Sequence, residues 1–402
     1  MSLLDELSRP EVWRDFCDYK ASLVCPKWLL SALREFIREE KYLPVVRAIR
    51  EGRPFPLPKK AVISKLSSGK KRTVYCYPNP ENTVLKCLTW LMLRKYDGLF
   101  EDSLYSFRPG RTAKDAVRKL LRTAEPASLY LYKADIHDYF NSVPVRRFLP
   151  LLKSALSDDP ALYHFLSSLL LEPRVLDSGR EIRENKGIMA GTPQSSFYAN
   201  LYLSGLDRLL SEKGLLACRY SDDIIVCSKT EAEMLEASED IRAYLQQAGL
   251  TLNPEKEVFS GPGEPFTFLG FQIDGKRVDI APVTVKKLKA KMRRKRDALA
   301  RWQRRNEEDP ERAARAFIRI FNRKLLESPE NHELSWAAWF FSVINTPESL
   351  HEIDLYAQDC LRFLLTGTHT KKRFRITYAD LKALGYRSVV HAYYEFHRQR
   401  EP

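Results

Sequence analysis

The sequence predicts an α+β fold, a small antiparallel sheet packed on helices, and three observations carry that prediction. Between residues 128 and 275, strand-like and helix-like segments alternate. The flanks, before residue 56 and after Pro282, follow a helical pattern. Acidic residues close apolar strands, where packing alone would not put them.

Of 402 residues, 44% are hydrophobic and 29% charged, which fits a globular enzyme rather than a disordered or fibrous chain. No apolar run approaches the ~20 residues that a bilayer requires, so no membrane partner is expected. The opening MSLLDELSRPEVWRDF lacks a basic region feeding an apolar block, so no signal peptide is expected. Seven scattered cysteines without a Cys-x-x-Cys pair argue for reduced thiols in a cytoplasmic protein and against structural zinc. The net charge of +14 suggests a polyanionic partner such as nucleic acid. From Lys286 to Arg305, eleven basic residues face a single acid, Asp297, which makes this segment a localised electrostatic footprint.

Residues 1 to about 55 read as two or three short helices, with Trp28 to Ile49 at helical spacing. Pro54, Pro56 and Pro58 mark a break. A hairpin is expected over Val62 to Tyr77, turning at Ser67-Ser68-Gly69, and then a helix over Asn82 to Tyr96. Strands are expected at Ser128–Ile136, Leu216–Tyr220, Asp223–Cys227 and Phe266–Ile273. Helices are expected at Val145–Ala155, Ala161–Leu171, Asn200–Leu210 and Thr230–Gln247. Beyond Pro282 the chain should be mostly helical, with an acidic spacer at Asn306 to Pro310.

Asp135 ends the strand SLYLYKAD, and Asp222 and Asp223 sit side by side at a turn in LLACRYSDDIIVCS. Adjacent acids beside apolar strands repel and lose hydration, a cost that bound cations would compensate. Hard divalent ions favour carboxylates on a rigid frame, and phosphoryl transfer to a hydroxyl can use two of them. A polar hairpin tip is the plainer reading of Ser221-Asp222-Asp223 alone; Asp135 at a strand end favours the metal site.

These residues resemble the reverse transcriptase superfamily, and its bacterial branches in particular: group II intron proteins, retrons and defence-associated enzymes. The similarity runs from about Gly69 to Gly275. Asp135 to Phe140 resembles the first catalytic motif, and Tyr220-Ser221-Asp222-Asp223 the tyrosine-x-aspartate-aspartate turn. The resemblance implies a right-hand polymerase with fingers, palm and helical thumb. It implies two magnesium ions, with manganese as a substitute, at Asp135, Ile136, Asp222 and Asp223; Asp223 would be the less directly engaged acid. Asp138 is expected at the surface or at a helix start. Phe140 matches the aromatic gate that excludes a ribose 2′-hydroxyl and so favours dNTPs. A core residue opening the next helix is its plainer reading.

Among Lys70, Lys71 and Arg72 on the expected hairpin, Arg72 matches the residue that meets the incoming triphosphate. Arg108 and Arg111 in YSFRPGRTAKDAV form a second basic site, with Ser106 where the family has glycine. KGIMAGTPQSSFYANLYLSGLD resembles the motif that positions the templating pair. Reading from Gly187 aligns Gly191, Ser195 and Asn200 but puts Ala190 in the glutamine position. Reading Pro193-Gln194 as the proline-glutamine pair leaves too few residues before Asn200. The first register needs no deletion and is adopted; its departure from pattern points away from group II intron proteins. Lys256 in GLTLNPEKEVF matches a lysine that protonates the leaving pyrophosphate or stabilises its charge. Phe268 to Phe271 resembles the primer grip, with Gly270 allowing close backbone approach. The basic helix, with Lys286, Lys287, Lys291, Arg294, Lys295 and Arg301, falls where a thumb would cross the duplex. Leu384 to Ser388 resembles the end of bacterial thumbs.

The domains expected are an N-terminal helical extension (1–55), fingers (56–127), a palm (128–275) with a fingers insertion near 156–195, and a thumb with C-terminal region (276–402). The function expected is RNA-directed DNA synthesis on a structured RNA, a dedicated non-coding RNA in anti-phage defence being the leading form. An RNA–DNA hybrid and dNTPs would be the other partners. The competing readings are a retron or group II intron-type enzyme, an RNA-templated RNA polymerase or template-independent nucleotide polymerase, and a maturase-like RNA binder with a relic site. Intact acids at 135, 222 and 223 count against the last, because a pure binder gains nothing from carboxylates beside an anionic ligand.

Overall fold

A computed structural model describes all residues except 24, 65–70, 124–127, 328–335 and 400–402. The expected turn at Ser67-Ser68-Gly69 and Lys70 lie outside the described residues. The architecture is mixed α+β, with helices packed on sheets in the manner of a fingers-palm-thumb polymerase. The chain divides into two compact units, Met1–Gly263 and Glu264–Pro402.

The first unit opens with four helices: α1 (Leu3–Glu6), α2 (Pro10–Ser22), α3 (Lys27–Arg38) and α4 (Tyr42–Arg50). The helical spacing expected from Trp28 to Ile49 is divided between α3 and α4, with Glu40 in a left-handed conformation (φ 49°) between them. Trp13 anchors this bundle, stacked on Tyr42 at 4.6 Å, with its indole N–H donating to the Leu7 carbonyl.

Strands β1 (Lys59–Ser64) and β2 (Lys71–Cys76) form the expected antiparallel hairpin, and helix α5 (Glu81–Lys95) follows. After α6 (Ala113–Thr123) comes the central strand β3 (Tyr130–Asp135), and then helices α7 (Tyr139–Ser142), α8 (Val145–Ala155) and α9 (Pro160–Leu171). Strands β4 (Arg174–Asp177) and β5 (Arg180–Arg183) extend the first hairpin into a sheet of order β2-β1-β4-β5. The expected helix over Asn200–Leu210 starts earlier and breaks at Leu203, giving α10 (Ser195–Tyr202) and α11 (Ser204–Glu212).

Strands β6 (Leu216–Tyr220) and β7 (Asp223–Ser228), helix α12 (Glu231–Gln247) and strand β8 (Val258–Ser260) complete the unit. The second sheet runs β6-β7-β3-β8, antiparallel throughout. Helix α12 covers β3 and β7, while α6 and α11 pack on β6. Thr230 starts α12 with a reciprocal cap: its hydroxyl accepts from Glu233 N–H, and the Glu233 carboxylate accepts from the Thr230 N–H.

In the second unit, strands β9 (Phe266–Phe268), β10 (Phe271–Asp274) and β11 (Arg277–Ile280) form a three-stranded antiparallel sheet. The single strand expected over Phe266–Ile273 is thus two, because Leu269 (φ 49°) and Gly270 (φ 91°) turn the chain between them. Helices α13 (Pro282–Arg305), α14 (Pro310–Leu325), α15 (Trp336–Phe341), α16 (Glu348–Thr366), α17 (Tyr378–Ala383) and α18 (Val389–Arg398) follow. Helix α16 packs on α13, α14 and α18. Among the described residues, no helix is long and apolar enough to cross a membrane.

Candidate active site

The second sheet brings the three acids together. Strands β3 and β7 pair Asp135 with Asp223, and the β6–β7 turn places Asp222 beside them. The Ile136 N–H donates to the Asp222 carbonyl at 3.3 Å, and the Asn253 N–H to the Asp135 carbonyl at 2.8 Å. Ile136 itself is buried, so it is available to a ligand only through its backbone. Asp135 is buried, whereas Asp222 and Asp223 are half-buried.

Burial, then the neighbouring Asp135, pushes the Asp222 carboxyl above the usual carboxylate range. Burial and then Asp222 push Asp223 up to about 6. The compensating charge at hand is Lys256, whose Nζ donates to Asp135 Oδ1 at 2.6 Å. Lys256 stands on a short turn, Pro254–Lys256, opened by Asn253, whose side chain accepts from the Glu255 N–H. Lys256 and Arg72 also draw the Asp222 carboxyl down, as smaller influences than burial. The donor set is the hard-oxygen kind that magnesium prefers. Among the described residues, however, no three acid, histidine or cysteine side chains converge closely enough to hold an ion.

Three further segments of the first unit meet: β2, α7 and residues 187–191. The Arg72 guanidinium, on β2, lies 5.5 Å from the ring centroid of Phe140. Phe140 is buried on α7, and its carbonyl accepts from the Ile188 N–H at 2.9 Å. A Cβ on Gly187 would come within 2.4 Å of that carbonyl oxygen, so only glycine permits this approach. Gly191 (φ 97°) lies flat on β2, where a Cβ would be 3.0 Å from the Tyr75 carbonyl oxygen and from Val74 Cβ. The Tyr75 N–H donates to the Ala190 carbonyl. Asp138 is exposed and left-handed at the start of α7.

Other expected contacts lie elsewhere. Ser195 is buried where α10 begins, and its hydroxyl donates to the Thr192 carbonyl at 2.7 Å. Gln194 is buried as well. Arg108, expected in a basic contact, is an internal strut: it is buried, bidentate to Asp97, and donates to the Glu101 carbonyl. Burying a guanidinium demands that its donors be matched, and here they are. Arg111 engages the exposed Asp102 at 2.5 Å.

Sequence reasoning missed the network that holds the acidic turn. Arg219 and Asp207 form a fully buried bidentate pair at 2.7 and 2.5 Å. The same guanidinium donates to the carbonyls of Ser221 and Asn200. Ser106 accepts from the Ser221 N–H at 2.9 Å and donates to Asn200 Oδ1 at 3.0 Å. Ser221 sits at φ 60°, a conformation disfavoured for a residue with a Cβ and held here from both sides. The signal in the sequence was a lone arginine, Arg219, in an otherwise apolar strand.

In the second unit, Val285, Met292, Leu299 and Ala300 form the buried face of α13. Lys286, Lys287, Lys291, Arg294 and Arg301 are exposed, and Lys295 is half-buried. A Cβ added at Gly270 would lie 3.6 Å from Thr284 Oγ1 and 3.8 Å from the Phe340 ring, both ordinary contacts. Its φ of 91°, rather than crowding within the unit, is what favours glycine there.

Comparison with known proteins adds the family. The group II intron-encoded protein LtrA of Lactococcus lactis is 23% identical over 192 residues, 46% of this chain and 30% of that protein. An uncharacterised 91 kDa protein in a cob intron of Schizosaccharomyces pombe is 28% identical over 158 residues, 38% of this chain and 18% of that protein. The match thus spans less than a third of either relative. Among solved structures, apo telomerase from Candida tropicalis matches with 13% identity and a TM-score of 0.49, covering 84% of this chain and 62% of that one. Telomerase from Candida albicans, in complex with a fragment of telomeric RNA, matches with 13% identity and a TM-score of 0.46, covering 88% and 71%. The model of the reverse transcriptase (RNA-dependent DNA polymerase) family matches residues 57–273, more than half of the chain, which therefore belongs to that family.

Proposed function

We propose that this protein is an RNA-directed DNA polymerase of the group II intron or retron type, extending a primer 3′-hydroxyl with dNTPs on a structured RNA. The observation that carries the reading is Asp135 and Asp223 on paired strands with Asp222 in the adjoining turn, half or more buried, and with Lys256 as the close counter-charge of Asp135. Crowded carboxylates raised by burial and mutual repulsion favour a protein that binds cations there. Asp135 and Asp222, with the Ile136 backbone and Asp223 beside them, would hold two magnesium ions. Such ions would acidify the primer hydroxyl and neutralise the triphosphate.

The chain's own residues supply the rest. Arg72 offers a fixed positive charge to the triphosphate. Phe140 fills the volume that a 2′-hydroxyl would need. Lys256, displaced from Asp135, would have a proton to give to the leaving pyrophosphate. Fingers at 56–127, a palm at 128–275 and a thumb with C-terminal region at 276–402 are part of this proposal. The named relative is intron-encoded, and this favours the intron or retron type over a dedicated role in phage defence.

The test is primer extension. Asp222→Ala with Asp223→Ala should abolish magnesium-dependent dNTP incorporation, and Asp135→Ala should do the same, each with an unchanged circular dichroism spectrum and RNA affinity. Extension above a few per cent of wild type by the double variant would remove the catalytic assignment.

A further inference from the structure

The second unit carries a basic surface that the polymerase reading leaves unused. Lys371–Arg375 is a short 3₁₀ turn, KKRFR, with four cations and one phenylalanine in five residues. It packs on α16. Phe374 is 56% exposed. The Arg373 guanidinium lies 4.4 Å from its ring centroid and that of Arg362 5.5 Å.

Both guanidiniums are themselves pinned. Arg373 Nε donates to Asp359 Oδ1 at 2.6 Å, and its Nη1 to the His369 carbonyl. Arg362 Nε donates to the Ile376 carbonyl at 3.0 Å. A single exposed phenylalanine needs no explanation. This one lies within cation–π range of two guanidiniums that are themselves held, while more than half of it stays exposed, so covering it costs little side-chain entropy.

The local charge is uncompensated. Asp359 is taken by Arg373, and Asp380 caps α17 through Thr377. Lys371, Lys372 and Arg375 are exposed, and none of the three makes an ion pair among the described residues. The turn is also continuous with the basic helix. Arg296 of α13 lies 4.9 Å from the Phe363 ring centroid. Phe363 in turn stacks on His369 at 4.3 Å and 19°. A strip of alternating aromatic and basic groups therefore crosses α16 from α13 to Phe374.

We propose that the far end of this strip binds unpaired RNA, with one base stacked on Phe374 and flanking phosphates on Lys371, Lys372 and Arg375. Bases stack on aromatic faces regardless of sequence, and adjacent cations hold the backbone. An acidic protein would use the charges but not the exposed ring. The inference rests on the reading that the chain works on RNA.

Fluorescence anisotropy with the full chain tests it, using an unstructured oligouridine, its deoxy counterpart and a hairpin duplex RNA across several salt concentrations. Phe374→Ala should weaken oligouridine binding roughly five- to hundredfold, the span of base–aromatic stacking, and duplex binding less than about twofold. Phe374→Trp should retain oligouridine binding. Changing Lys371, Lys372 and Arg375 to alanine together should lower the single-strand salt slope by about 2.

Unchanged oligouridine affinity in a folded Phe374→Ala protein would overturn the site, as would an equal loss on the duplex. Tighter binding of the deoxy strand, or competition by polyglutamate as strong as by oligouridine, would overturn the choice of RNA. Primer extension on a short primer–template at saturating concentration separates the two readings. Wild-type extension without a Phe374 effect removes this inference alone; a Phe374 effect without wild-type extension removes the polymerase reading alone.

Discussion

Lys186 is the residue with the sharpest local cost. It is 3% exposed, and its Nζ has no hydrogen-bond partner among the described residues. Burial lowers its pKa to about 8, while Glu172 and Glu184 pull weakly the other way. An unfolded-chain lysine titrates near 10.4, so below pH 8 the native state holds a buried charge that the unfolded state hydrates freely. Stability should therefore rise as pH climbs from about 8 to about 10.4, where the native lysine is neutral and the unfolded one still charged. Lys186→Met keeps the volume and removes the charge, and should stabilise the protein by about 2–3 kcal/mol at pH 7. The gain should shrink below about 1 kcal/mol at pH 10. Urea titrations at the two pH values check this, and a gain independent of pH would refute it. Phe140 carries a second prediction at this scale. Phe140→Ala should raise the rNTP-to-dNTP incorporation ratio about 10- to 100-fold by opening the volume under Arg72. Single-turnover incorporation of matched nucleotides measures it; an unchanged ratio in a folded variant rejects the gate.

Elements matter through the way they grip the β6–β7 turn. Arg219 on β6 reaches Asp207 on α11 and the carbonyls of Asn200 and Ser221, so one buried guanidinium ties two helices to the acidic hairpin. Arg219→Met leaves Asp207 buried without a partner and should cost about 3–5 kcal/mol. Pairing it with Asp207→Leu removes the orphaned charge and should recover much of the melting temperature. Primer extension should stay low in the double variant, because the Ser221 carbonyl still lacks its donor. Full recovery of both would show that the pair serves stability alone. Much of this scale was legible beforehand. Val145–Ala155 was predicted to the residue, and the strands around Asp222 and Asp223 nearly so, because hydrophobic periodicity and turn residues are local signals. The breaks at Leu203 and Leu269 were not, because non-glycine residues there adopt conformations that only their tertiary surroundings select.

At the scale of the whole molecule, charge is the property to test. Reversing Lys291, Arg294, Lys295 and Arg301 to glutamate should weaken RNA binding broadly and reduce its salt slope by about 3, with short primer–templates still extended at high concentration. Equal affinity and slope across several salt concentrations would rule out α13 as the electrostatic contact. By itself, the sequence determined the α+β class, the order of the motifs that resemble the reverse transcriptase family and the identity of the three clustered acids. Each of these is written in adjacent residues: an acid ending an apolar strand, two acids in a turn, a run of basic residues. Only the tertiary structure decided which polar groups are spent internally. Ser195 and Arg108 look like ligand contacts in one dimension, yet burial commits their donors to Thr192 and Asp97. Conversely, Arg219 and Phe374 are ordinary letters in the sequence. They acquire meaning from partners far along the chain, Arg219 from Asn200 and Ser106 through the turn, Phe374 from α16, because hydrogen bonds and ring contacts depend on distance in space rather than in sequence.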